Sequence, residues 1–158
     1  MATASTNTTT SALAQLKLTD ARKPQQVPQV VLRRNKLALR VWQQMELAKA
    51  QASGGEYRVT KYRSYTDIET GVRRQVEQHV MVKPWWFSTA AGKLAVSVRY
   101  GSRVLELARG KWAVEIAHAD NLTATLDAIR AAVLAGELDA AIDTAATKLR
   151  AGFTRGVR

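Results

Sequence analysis

The stretch 93-KLAVSVRYGSRVLEL-107 decides the fold. Gly101 and Ser102 form a two-residue turn of the kind that joins two twisted antiparallel strands. Such a loop pairs Tyr100 with Arg103, Val98 with Leu105 and Val96 with Leu107. Leu94, Val96 and Val98 then share a face with Leu105 and Leu107, while Lys93, Ser97, Arg99 and Glu106 take the other. One side of the hairpin is core and the other is wet.

Period-two patterning extends in both directions. Residues 56–66 (EYRVTKYRSYT) are rich in Tyr, Val and Thr and read as a strand. Residues 67–71 (DIETG) are a turn. Residues 72–82 place Val72, Val76, Val80 and Val82 on one face and Arg73, Gln75, Glu77 and His79 on the other. After the turn at 109–111, WAVEI gives a last strand with Trp112, Val114 and Ile116 inward. Upstream, residues 29–52 are helical in composition, with Val30, Leu37, Val41 and Ala48 on one face and Arg33, Arg34, Lys36 and Arg40 around them. Ser53-Gly54-Gly55 stops that helix. Downstream, Asp120 or Asn121 is positioned to cap. Leu122, Leu126, Ile129 and Val133 follow at helical spacing, and after Gly136 the stripe continues through Leu138, Ile142 and Leu149. The expected fold is α+β: an antiparallel sheet of about four to five strands (two hairpins plus a last strand), preceded by a basic helix and followed by a C-terminal helical segment. Residues 1–28 read as a flexible polar tail, 29–153 as one domain and 154–158 as a basic tail.

Charge is the second signal. Among 158 residues, 24 Lys and Arg face 13 Asp and Glu, a formal charge of +11. Residues 1–119 carry net +11, residues 120–149 net −3 and the last nine net +3. A basic body joined to a mildly acidic helical segment points to a polyanionic partner. Cysteine is absent, which removes disulfides and thiolate metal sites and fits a reducing cytoplasm. The N-terminus has no signal-peptide pattern, and no apolar run is long enough to span a membrane.

Enzyme patterns are missing. His79 and His118 stand in no metal-ligand spacing, glycine-rich phosphate loops are absent, and carboxylates do not cluster in the strand region. Ser97 and Ser102 have no histidine near them in sequence. The expectation is a non-enzymatic protein without metal or cofactor.

What the strands do carry is cations interleaved with rings. Arg58, Lys61, Tyr62 and Arg63 are followed by Arg73 and Arg74. Lys83 and Trp85 come next, then Lys93 and Arg99, then Arg103 and Lys111. Cations follow phosphates, and ring faces take up unstacked bases, so this mixture suits a single strand of nucleic acid. Taken singly, each residue also suits a solvated strand. In 83-KPWWF-87, Pro84 places the segment at a strand entry or an edge. Alternation through Val80 and Val82 makes Trp86 the core residue and Trp85 the stacking platform, unless Pro84 introduces a bulge. Arg33, Arg34 and Lys36 are either phosphate contacts or the wet face of a packed helix; the sequence does not separate the two.

The stretches 30–52, 66-TDIETG-71, 83-KPWWF-87, 92–116 and 126-LDAIRAAVLAGELD-139 resemble small basic proteins of bacteriophages and prophages grouped as a domain of unknown function. That resemblance implies no activity. The strands 93–107 and 111–116 with the helix after them are also similar to the transcriptional positive cofactor and the Whirly-type single-stranded-DNA binders. This second resemblance implies Lys93, Arg99, Arg103 and Lys111 as sheet contacts and Leu122, Leu126, Ile129 and Val133 as the seam of a homo-oligomer. The resulting expectation is a cytoplasmic protein binding single-stranded DNA in phage replication or recombination. The alternatives are an accessory module that binds a host or phage enzyme, and a virion or DNA-packing component.

Overall fold

The computed structural model describes residues 12–23 and 26–154. Of the tail expected at 1–28, residues 12–23 and 26–28 are described: Ala12–Gln15 form a short 3-10 turn, and 13–23 and 26–28 are exposed, while 1–11 and 24–25, and 155–158 of the basic tail, are not described. The fold is α+β. Helix α1 spans Gln29–Ala52, strands β1 and β2 span Arg58–Thr66 and Arg73–Met81, and β3 spans Trp86–Ser88. Strands β4 (Leu94–Val96), β5 (Arg99–Tyr100), β6 (Arg103–Val104) and β7 (Val114–Ile116) follow, then α2 (Leu122–Ala135) and α3 (Asp139–Thr154).

The strands divide into three small antiparallel sheets among the described residues: β1–β2, β3–β4–β7 and β5–β6. The decisive hairpin forms as its turn dictates. Tyr100 pairs with Arg103, and the Leu105 N–H donates to the Val98 carbonyl at 2.8 Å. The register then departs from expectation. Val96 pairs with Val114 on one side and Trp86 on the other, not with Leu107. Leu107 instead closes a turn, its N–H donating to the Lys111 carbonyl at 2.8 Å. That turn ends the ladder early and leaves Trp112 before β7 rather than within it. Trp112, expected in the core, is 50% exposed.

The core gathers side chains from the three helices and from the strands and turns between 85 and 116. Leu37 and Val41 of α1, Val96 of β4, Val98 between β4 and β5, Leu105 after β6, Leu126 and Val133 of α2 and Ile142 of α3 are fully buried. Each removes a side chain from water at a gain of ~1.5–3 kcal/mol. The stripe Leu122, Leu126, Ile129, Val133 is thus turned inward. Leu126, Ile129 and Val133 are buried in the same cluster as Leu37 and Val41, against α1 of their own chain, and so are not available as a seam between copies, while Leu122 packs against that cluster and is half-buried. Asn121 precedes α2 but makes no side-chain capping bond. Gly136 ends α2 at φ 89°, where a side chain would be strained and would meet the Arg34 guanidinium.

Arg34 and Arg33 have a structural use. Arg34 Nε donates to Asp139 Oδ1 at 2.8 Å and Nη2 pairs with the other oxygen, while Arg33 pairs with Asp143. The acidity of residues 120–149 is partly matched here: two α3 carboxylates neutralise the first turns of α1. Hydrogen bonding from Arg34 holds the Asp139 carboxyl below the usual carboxylate range.

Strands β1 and β2 form a ribbon of nine residues each. Every β1 residue except Val59 is exposed, and so is every β2 residue except Gln78 and Val80. The valine face read from the sequence exists, but only its base meets the body: Val80 and Val82 are half-buried, whereas Val76 and Val72 are 45% and 50% exposed.

Candidate nucleic-acid interface

The site is organised around Gln44. This α1 residue is buried, at 2% exposure, and its amide bridges the KPWWF segment. Gln44 Nε2 donates to the Lys83 carbonyl at 2.9 Å, and the Trp85 N–H donates to Gln44 Oε1 at 2.9 Å. Pro84 lies between these groups and has no N–H of its own. One side chain therefore satisfies the backbone on both sides of the proline and sets where Lys83 and Trp85 stand. The Trp85 carbonyl in turn accepts from the Ser97 N–H at 3.1 Å and lies 3.3 Å from Ser97 Oγ. Trp85 and Trp86 are both half-buried and both pack on the core, so neither is wholly core nor wholly platform. Trp86 is built into β3 opposite Val96, and Trp85 faces a cleft.

That cleft, of about 310 Å³, lies between α1, the base of the ribbon and the 99–101 turn. Lys36 and Arg40 come from α1, Lys61 from β1, Lys83 from the KPWWF segment and Arg99 from β5. No Asp or Glu lines it. None of the ion pairs among the described residues engages any of the five cations. Lys36 Nζ lies 5.2 Å from the centroid of the Tyr100 ring, and Arg40 Nη1 donates to Gln43 Oε1 at 3.2 Å. Five like charges gathered without a counter-charge repel one another and favour an anion between them.

The ribbon extends this surface. The pairings Lys61↔Gln78, Arg63↔Val76 and Tyr65↔Arg74 place Lys61, Arg63, Tyr65 and Arg74 on one face, because paired residues share a side and successive residues alternate. Tyr65 is 47% exposed, and its hydroxyl accepts from Gln78 Nε2 at 2.9 Å. This face carries no carboxylate until Asp67 in the turn. Cleft and ribbon face together form a track of seven cations with Trp85 and Tyr65 beside it.

Six of the residues expected from sequence thus converge: Lys61, Arg63, Arg74, Lys83, Trp85 and Arg99. Arg58, Tyr62 and Arg73 lie on the ribbon's other face, where Arg58 pairs with Glu56 and Tyr62 stands opposite Glu77. Lys93 forms an ion pair with Glu115 at 2.7 Å. Arg103 sits by α3, and Lys111 lies in the turn before Trp112. The sequence leaves Lys36 open between a phosphate contact and a solvated helix face, and it does not assign Arg40 or Gln44 to the site. The helical spacing of Lys36, Arg40 and Gln44, each four apart, was the available signal.

Among the described residues, no three His, Cys, Asp or Glu side chains come together as metal ligands. None of the helices there is long and apolar enough to cross a membrane. Fold and surface define a basic α+β protein with a projecting two-stranded ribbon and an uncompensated cationic track. The chain belongs to the family of unknown function DUF6641, which matches residues 2–142. No curated protein and no solved structure matches it.

Proposed function

We propose that this protein is a non-enzymatic nucleic-acid binder that holds a single strand, with DNA favoured, along the cleft and the adjoining ribbon face. The observation that carries the reading is the unpaired cluster of Lys36, Arg40, Lys61, Lys83 and Arg99 around Trp85. A phosphate backbone supplies the missing negative charge, and its binding releases counterions. A single strand also offers unstacked bases to Trp85 and Tyr65, whereas a duplex keeps its base faces inward. Phage or prophage replication or recombination, in the host cytoplasm, is the setting in which such a binder protects or organises single strands.

The test is a tryptophan-fluorescence titration with oligo-dT over a salt series. Quenching is expected. If the five cleft cations each meet a phosphate, log K should fall against log salt with a slope of about −3.5, from ~0.7 per phosphate on a single strand. Charge reversal at Lys61 and Arg99 together should lower affinity and flatten that slope. Absence of quenching at low salt would reject the reading.

A further inference from the structure

The turn that joins β1 to β2 displays Ile68 at 101% exposure. The display is ordered. Asp67 Oδ1 accepts from the backbone N–H groups of Glu69 and Thr70 at 2.9 and 3.1 Å. The Asp67 N–H donates to the Val72 carbonyl at 3.0 Å, and the Gly71 N–H returns to the Asp67 carbonyl at 2.8 Å. An isoleucine flanked by two carboxylates is thus held rigidly at the end of the ribbon. A lone exposed apolar side chain is ordinary. This one has a counterpart elsewhere on the same chain.

A groove of about 550 Å³ runs between α3 and the segment 103–112. Val104, Ala141 and the half-exposed Trp112 give it an apolar floor, and Arg103, Arg109 and Lys148 line its edges. None of those three cations belongs to an ion pair among the described residues. The one carboxylate lining the groove, Glu106, accepts from the Gly110 N–H at 2.6 Å. Tip and groove are complementary in both respects: an apolar point with two negative charges, and an apolar slot with a net positive edge.

We propose that the ribbon tip of one copy docks in this groove of a second copy, with Ile68 against Trp112 and the Asp67 and Glu69 carboxylates toward Arg103, Arg109 and Lys148. Nine residues at ~3.3 Å each make the ribbon ~30 Å long, enough to reach from one body to the next. The two carboxylates repel phosphate, which sets the tip apart from the cationic ribbon face behind it. Tip and groove are different surfaces, so two copies that exchange tips reciprocally close a two-fold dimer, and a one-way contact builds rings or filaments. This places self-association away from the α2 stripe, which the core occupies.

Sedimentation of the full chain at ~50 µM without nucleic acid tests the proposal, a concentration well above a Kd of about 1 µM. Wild type should sediment above the 17.4 kDa monomer. Ile68→Asp, and separately the pair Arg109→Glu with Lys148→Glu, should each give monomers. All three positions are exposed, and circular dichroism checks that the variants stay folded. The Ile68→Asp chain keeps its groove and the double variant keeps its tip. An equimolar mixture should therefore form a one-to-one complex and nothing larger. A monomeric wild type, wild-type mass in either variant, or a mixture that stays monomeric would each overturn the proposal.

Discussion

Replacing Gln44 with Ala removes the two hydrogen bonds that bracket Pro84. Each bond contributes ~1 kcal/mol net, and a buried group left unpaired costs ~1–3 kcal/mol. The Lys83 carbonyl and Trp85 N–H lie in a half-covered segment that water can partly reach, so the lower part of that range applies. The expected loss is ~2–3 kcal/mol on these figures. For a chain of this size each kcal/mol lowers Tm by ~2–4 °C, so the drop should be ~4–12 °C. Urea titration and thermal circular dichroism measure it. Hydrogen exchange adds a local readout: the Trp85 amide should lose protection before the amides of β3, because its partner is the deleted side chain. Oligo-dT affinity should fall as well, since Lys83 and Trp85 lose their common anchor. A stability within ~0.5 kcal/mol of wild type, the ordinary range for a surface change, would refute the bridging role, as would an unchanged Trp85 amide.

Two further perturbations separate binding from packing. Trp85→Ala should weaken oligo-dT binding by ~1–3 kcal/mol, the worth of one stacked base. Trp86→Ala, opposite the fully buried Val96, should lower the denaturation midpoint while the folded fraction binds as wild type; equal affinities for the two variants would remove the stacking role. The Arg34–Asp139 pair supplies a pH test. The folded Asp139 carboxyl is held below its unfolded value of ~3.9, so its contribution is present above that pH and is lost as pH falls through the folded value. Urea midpoints from pH 6 down to 2.5 should therefore decline less steeply for Asp139→Asn than for wild type, and parallel curves would count against the linkage.

Much of the frame is legible in sequence. Helix α1 has the bounds its composition indicates, stopped by Ser53-Gly54-Gly55; the Gly101-Ser102 turn pairs Tyr100 with Arg103 as expected, and 67–71 is the turn between two strands that it reads as. What periodicity cannot convey is the identity of the covering surface. The alternation of Val72, Val76, Val80 and Val82 is present in the ribbon, but a strand pattern is the same whether or not another layer lies on it. The α2 stripe likewise announces a buried face without saying whether α1 or a second copy buries it. Trp112 lies outside the core because the Leu107–Lys111 turn ends the ladder and Val96 pairs with Val114 instead of Leu107, a long-range choice that strand alternation does not encode. The cleft shows the same limit. Its cations come from four segments, and only the fold brings Lys36 and Arg40 beside Lys61, Lys83 and Arg99.

The turn at 67–72 lies at the far end of the ribbon from the cleft, yet it governs which side of the protein is electropositive. A two-stranded ribbon open on both faces has little lateral packing to fix its alignment, and a slip of one residue sends every side chain of the slipped strand to the opposite face. Such a slip in β2 would carry Arg74 away from Lys61 and Arg63 and bring Arg73 and Glu77 in its place, inserting a negative charge into the track. The hydrogen bonds that Asp67 accepts from Glu69 and Thr70, together with the left-handed Gly71 at φ 68°, count the residues in that turn and so hold the register. The same bonds hold the Asp67 carboxyl below its ordinary range and keep it an acceptor. The turn is thus an indexing device: its length sets the phase of the charges on a surface it does not touch.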